Sequence, residues 1–136
     1  MRALGIDLGE RRIGLAISDA DGNLAGPLKV ISHTGGETDE ILRIIGSEGV
    51  GMVVVGLPLN MDGSLGEQGE KAQAYARQLQ ERVRIPVELW DERLSTFEAE
   101  RKLRESGKKG PKLKKALDKW AAAVILQDFL DHKKQN

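Results

Sequence analysis

Asp7 is a lone carboxylate in the apolar stretch Ala3-Leu4-Gly5-Ile6-Asp7-Leu8-Gly9. With the period of two of a β-strand, Leu4, Ile6 and Leu8 share one face while Gly5, Asp7 and Gly9 share the other, so the acid stands on a face cleared of side chains. A charge placed in a strand without a partner costs several kcal/mol and is relieved by a counter-ion, a metal ion or protonation. Two further acidic sites are positioned to meet it. Asp91-Glu92 directly follows an apolar run ending at Trp90, so one or both reach the carboxyl edge of a sheet. Asp118 begins a stripe continued by Ala122, Ile125 and Phe129, at spacings that put all four on one helix face, and Ala121-Ala122-Ala123 lets that helix come close. Carboxylates crowded together are stable only when protonated or bridged by cations, and oxygen ligands without His or Cys suit Mg²⁺ or Mn²⁺. Two such ions roughly 3.5–4 Å apart orient an attacking water and stabilise a leaving oxygen, which is the chemistry of phosphodiester hydrolysis.

The elements that must position these acids follow from pattern. Residues 2–8 and 12–18 read as strands joined by a short turn, and Asp21-Gly22-Asn23 turns into a third strand around Leu28–Ile31, giving an antiparallel meander. Thr38 or Asp39 is a candidate cap for a helix with the stripe Ile41, Leu42, Ile44 and Ile45, ending near Gly49. Met52-Val53-Val54-Val55 reads as a central strand covered on both faces. The loop Leu57–Gly66 follows, then a helix from about Glu67 to Arg82, with Pro86 separating it from the strand Val87–Trp90. Ser95 with Glu98 forms a capping box for a helix ending at Gly107; a Lys-rich loop then leads to a last helix over about 116–132. The expectation is a single α/β domain, residues 1–136, with a mixed five-stranded sheet, its first three strands antiparallel, flanked by helices.

Composition sets bounds. At 136 residues and 40% hydrophobic content the chain suits one domain rather than two lobes. Lys plus Arg and Asp plus Glu number 21 each, so attraction to nucleic acid must come from a local patch. Such a patch is written into Lys108, Lys109, Lys112, Lys114 and Lys115, just before the Asp118 helix, with backbone phosphate contact as its use and a solvated loop as its simpler explanation. Arg11 and Arg12, in the turn next to Asp7, are candidates for phosphates flanking a scissile bond. The absence of cysteine excludes disulfides and thiolate chemistry. No apolar run approaches the roughly 18 residues of a membrane span, and a soluble cytoplasmic protein is expected. His33 and His132 read as surface residues, Trp90, Trp120 and Phe129 as core, Ser18-Asp19 as turn-stabilising, and Gly56, Gly63 and Gly66 as permitting loop conformations.

Four motifs in order carry a family resemblance. Gly5-x-Asp7-x-Gly9-x-x-Arg12-x-Gly14-x-Ala16-x-Ser18-Asp19, Val55-Gly56-Leu57-Pro58 with Gly63 and Gly66, Asp91-Glu92-Arg93-Leu94-Ser95-Thr96, and Asp118-x-x-Ala121-Ala122-x-x-Ile125-Leu126-Gln127 closely resemble the YqgF family, also called RuvX. Leu117, where Val is usual, and the bulky Trp120 depart from the pattern; the acids do not. The resemblance implies a ribonuclease H-like fold and a nuclease site at Asp7, Glu92 and Asp118, with Glu92 preferred over Asp91. It implies Asn60, Arg93 and Thr96 bordering that site and pre-16S ribosomal RNA as the substrate, with resolution of four-way DNA junctions as an alternative role. Monomer and homodimer both stay open, a resolvase requiring a symmetric pair to cut two strands. Two other readings compete. Actin-like ATPases and sugar kinases share the Gly5–Gly9 opening but need two lobes, and a non-catalytic RNA-binding assembly factor would keep the fold without cleavage.

Overall fold

Alternate residues of the strands feed two separate apolar layers, and that division places the acids. The computed structural model describes residues 1–134, with the side chains of residues 94–99 outside the described set. In chain order the elements are β1 (Arg2–Leu8), β2 (Arg12–Ser18), β3 (Ala25–Ser32), α1 (Glu37–Ser47), β4 (Val50–Leu57), α2 (Glu67–Arg82), β5 (Val87–Asp91), α3 (Arg93–Glu105) and α4 (Gly110–Lys134). The five strands form one sheet in the order β3-β2-β1-β4-β5. β1–β2 and β2–β3 pair antiparallel, whereas β1–β4 and β4–β5 pair parallel. The mixed five-stranded sheet with an antiparallel first half is therefore as the sequence predicts.

On one face Leu4, Ile6, Ile13, Leu15, Val53 and Val55 pack with Ile41 of α1 and Ala72, Ala76 and Leu79 of α2. The opposite face carries Ala3, Ala16, Met52 and Val54, which pack with Ala122, Ala123, Ile125, Leu126 and Phe129 of α4. On β1 and β2 the first face carries leucine and isoleucine, whereas the second carries alanine and glycine. An added Cβ at Gly5 would stand 2.9 Å from Leu126 Cβ and 3.1 Å from the Ala122 carbonyl oxygen, so α4 lies against the β1 backbone itself. Asp7 has the parity of Ala3 and Gly5 and hence shares the α4 layer.

Several boundaries differ from the sequence expectation. α1 begins at Glu37, capped by Gly36 with no side-chain hydrogen bond, so neither Thr38 nor Asp39 is its cap. The Glu37 carboxylate instead accepts the Gly35 N–H at 2.6 Å, closing the turn before the helix. α3 begins at Arg93 with Glu92 as its N-cap, which places Ser95 inside the helix; the side chains of Ser95 and Glu98 lie outside the described residues. The Lys-rich loop is largely helix: α4 starts at Gly110 and takes in Lys112, Lys114 and Lys115. Lysine is a good helix former, Pro111 suits a first turn, and Leu113 is buried to 8% exposure, so the apolar stripe extends further back than the charges reveal. Trp120 is 41% exposed rather than core, with the Lys119 ammonium 5.9 Å from its ring centroid. Trp90 does pack inward, edge-on to Phe129, with Nε1 donating to Asp128 Oδ2 at 2.8 Å. Ser18 accepts the Ala3 N–H at 2.8 Å, and Asp19 Oδ1 accepts the Asn23 and Leu24 amides, as its turn role requires.

The close α4 contact makes a contrast between two glycines measurable. Gly5→Val forces a branched side chain into the Leu126–Ala122 contact and is expected to lower stability by about 1–3 kcal/mol. Gly26→Ala in β3, where nothing lies within 4 Å of the new Cβ, should change stability by less than about 0.5 kcal/mol. Urea unfolding of both variants checks the difference.

Candidate active site

The carboxyl ends of β1, β4 and β5 lie side by side, and two of the three predicted acids stand on them. Asp7 pairs in register with Gly14 of β2. A Cβ on Gly14 would sit 3.7 Å from Asp7 Cβ and 3.3 Å from the Asp118 carbonyl oxygen, so Gly14 leaves the gap across which β1 and α4 face each other. Glu92 follows β5, tied to β4 by its N–H donating to the Leu57 carbonyl at 3.3 Å. Gly56 is buried within β4, and a Cβ there would fall 2.4 Å from Glu92 Oε2 and 2.9 Å from Ile125 Cδ1. Gly56 is thus the seat of the Glu92 side chain, a role that the loop reading of this glycine misses.

Asp118 lies eight residues into α4, about 12 Å from the helix start at 1.5 Å per residue. Attraction to the positive helix end is confined to the first turn and does not explain it. Asp118 Oδ2 stands 3.6 Å from Arg12 Nη2, a half-exposed pair at the site's rim. Among the described residues no three Asp, Glu, His or Cys side chains are gathered tightly enough to hold a metal ion unaided. Asp7 is the common neighbour instead, interacting electrostatically with Glu92 on one side and Asp118 on the other.

The electrostatics of the acids diverge. Burial, followed by the charge of Asp118, raises the Asp7 pKa above the usual carboxylate range. Burial, followed by the charges of Asp7 and Asp91, pushes Glu92 up to about 7. Glu92 Oε2 is buried with no hydrogen-bond partner. Asp91, one residue earlier, is lowered by the Arg93 guanidinium, whose Nε lies 3.1 and 3.0 Å from its two oxygens and whose Nη2 is 2.8 Å from Oδ2. Asp91 is therefore already neutralised by Arg93, whereas Glu92 and Asp7 are not. A buried oxygen with no donor near it, beside a second carboxylate held above its ordinary pKa, has the chemistry of a site for a hard cation.

The surrounding residues divide into two groups. Arg11, Arg12 and Lys114 line a cleft of about 440 Å³ with Gly9, Glu10 and Asp118. Lys108, Lys109 and Lys114 line a groove between α3 and α4 with Glu100, Arg104 and Leu113, and Lys112 and Lys115 are exposed on the adjoining turn. Asn60 and Arg93, by contrast, are engaged within the protein. Asn60 Nδ2 donates to Ser64 Oγ at 2.9 Å, and Arg93 Nη1 donates to the Met61 carbonyl at 3.2 Å. The side chain of Thr96 lies outside the described residues.

A two-layered mixed sheet with an acidic carboxyl edge defines a ribonuclease H-like domain. The same fold is seen in Thermus thermophilus RuvC, with a TM-score of 0.58 at 16% identity over 98% of this chain and 97% of that one. The fowlpox virus Holliday junction resolvase matches with a TM-score of 0.56 at 13% identity, over 97% of this chain and 99% of its own. In sequence, residues 1–132 match the RuvX family, described as Holliday junction resolvase. A protein of Anaeromyxobacter sp. (strain Fw109-5) is 51% identical over 96% of this chain and 97% of its own. One of Oceanobacillus iheyensis is 43% identical over 98% of this chain and 100% of its own. Both bear the name "Putative pre-16S rRNA nuclease". This chain belongs to the RuvX family.

Titration of Glu92 has a defined sign. Its folded pKa of about 7 lies above the ordinary 4.5, so its contribution to stability is complete below pH 4.5 and is lost as pH rises through 7. Cation-free protein should lose no more than about 3 kcal/mol over that window, at about 1.4 kcal/mol per pH unit, discounted for partial solvent access. Glu92→Gln should flatten the profile, as read by urea unfolding at pH 5 and pH 8.

Proposed function

We propose that this protein is a metal-dependent nuclease that hydrolyses phosphodiester bonds in structured RNA, and that it processes the 5′ end of pre-16S ribosomal RNA in the cytoplasm. The observation that carries the reading is the partnerless, buried Glu92 Oε2 beside Asp7 at the carboxyl edge of the sheet. Relatives at 43–51% identity bearing the name of a pre-16S rRNA nuclease support the choice of substrate. No helix among the described residues is long and apolar enough to cross a membrane.

Asp7, Glu92 and Asp118 are the residues that would hold Mg²⁺ or Mn²⁺. A divalent ion bound there supplies an acidified water and neutralises charge developing on the phosphate. Arg11 and Arg12 hold the phosphates beside the scissile one, from the turn next to Asp7. The lysines of the α3–α4 turn and the first turns of α4 track the RNA backbone. Asn60 and Arg93 fix the loop and strand end around Glu92, and Thr96, whose side chain lies outside the described residues, is assigned to substrate binding by the family resemblance alone. Nothing in this set reads base identity, so the site selects shape. The RuvX family's description favours a second reading, branched DNA as the substrate.

Cleavage of a labelled pre-16S RNA and a four-way DNA junction, side by side with Mg²⁺ or Mn²⁺, tests both. Asp7→Asn should reduce RNA cleavage by more than about a hundredfold, the upper range for residues that merely orient ligands. Junction cleavage alone would promote the DNA reading, and binding without cleavage would favour an assembly factor. The basic strip has its own signature. Neutralising Lys108, Lys112 and Lys115 together should weaken RNA binding uniformly across sequences and reduce the slope of log affinity against log salt, by about 0.7–0.9 for each phosphate that is no longer neutralised.

A further inference from the structure

Met61 is 84% exposed, more than any other large apolar side chain among the described residues. Single exposed apolar residues are ordinary. Two features set this one apart: its location and the rigidity of its support. Met1 and Leu24, the other strongly exposed examples, lie by the start of β1 and the β2–β3 turn, at the opposite end of the sheet from Asp7. Met61 lies in the loop that leaves the carboxyl end of β4, where Gly56 seats Glu92.

Asn60, Asp62, Gly63 and Ser64 spend polar groups on the shape of that loop. The Asn60 N–H donates to the Ser64 carbonyl at 2.9 Å, and the Gly63 N–H, in a left-handed residue, donates to the Asn60 carbonyl at 2.8 Å. Ser64 donates through N and Oγ to Asp62 Oδ1 at 2.9 and 2.6 Å, and a bridge between Leu59 and Leu65 closes the neck. Arg93, which follows Glu92, holds the tip from outside, with Nη1 at 3.2 Å from the Met61 carbonyl while its other nitrogens grip Asp91. The loop tip is thereby tied to the residue after Glu92, and Glu92 itself is tied to Leu57 at the loop's base. A braced loop beside the acidic edge thus carries an exposed thioether at its tip.

We propose that Met61 is an apolar wedge that inserts into the RNA at a base step flanking the scissile phosphate. The proposal rests on the nuclease reading above. An unbranched, polarisable side chain fits the face of a nucleobase, and inserted Met side chains unstack base steps at a cost that is lowest where stacking is already weak. The site then prefers stem ends, bulges and junctions without reading a sequence. Arg93 acts here as a positioning residue, through the loop it holds.

The test uses Asp7→Asn protein, so that RNA is bound and not consumed, with the fluorescent base 2-aminopurine placed at successive positions along a pre-16S RNA stem. Binding should raise fluorescence at one step, marking an unstacked base. Adding Met61→Ala should abolish that rise and weaken binding about tenfold, within the range for removing one stacking interaction. Met61→Leu should retain both, and a bulge introduced at the same step should restore Met61→Ala binding. An equal fluorescence rise in Met61→Ala, or no rise at any position despite tight binding, overturns the wedge and leaves the nuclease reading standing. A rise dependent on Met61 with a four-way DNA junction but not with RNA overturns the RNA assignment. Failure of the Asp7→Asn protein to bind either nucleic acid overturns the wedge and the nuclease reading together.

Discussion

The contact of α4 with a strand face stripped almost to backbone is the constraint on which the rest of the structure depends. Gly5, Gly14, Ala16 and Gly56 remove side-chain volume from two adjacent cross-strand rows of the sheet, and Ala122 answers them from the helix. Close packing at interior density makes such a contact all or none, since a single added methyl group meets atoms at under 3.2 Å at Gly5 and Gly56. The same glycines define the space between Asp7, Glu92 and Asp118. Stability and site geometry therefore use the same positions, and a substitution that loosens α4 also moves the third acid.

Electrostatics at this edge separate two carboxylates that are neighbours in sequence. Asp91 and Glu92 share a backbone segment, yet Arg93 lowers one while burial and the charge of Asp7 raise the other to about 7. The sheet explains the difference. Asp91 ends β5 in register with Leu57 and turns outward to solvent and to Arg93, whereas Glu92 turns back over Gly56. Divergence of this kind between adjacent acids leaves one satisfied within the protein and the other without a counter-charge. Arg93 joins the two roles, since the side chain that neutralises Asp91 also grips the Met61 loop.

Much of this was legible in the sequence because it is written in periodicity. Alternation over residues 3–9 placed Asp7 on the bare face, and the 118–122–125–129 stripe turned Asp118 toward the sheet. What escaped was information that periodicity does not hold. The lysine run looked like a loop because its charges mask Leu113, whose burial is decided by α3 packing beside it. The start of α3 was displaced because Glu92 caps the helix by backbone geometry rather than by the Ser95–Glu98 pattern. Gly56 was read for its backbone freedom when its missing Cβ was the point, and only the fold brings Glu92 Oε2 over it. The resemblance puts Arg93 and Asn60 beside the acids, but a sequence cannot show that their donors are already occupied.

Arg12 illustrates how a weak interaction can be the useful one. Its pair with Asp118 is 3.6 Å long, with side-chain exposures of 56% and 38%, and pairs of that kind contribute about 0–1 kcal/mol. The fold does not depend on it. Glu92 has less latitude, because its Oε2 is buried over Gly56 with no hydrogen-bond partner. One acid is thus fixed and partnerless, while another is held loosely by a cation that also lines the outer cleft. Were a phosphate to take Arg12 from Asp118, one charge-assisted contact would replace another of similar kind, with little change beyond the rim. The rigid part of the site is the part that β1, β4 and α4 build together, and the exchangeable part lies where the nucleic acid would arrive.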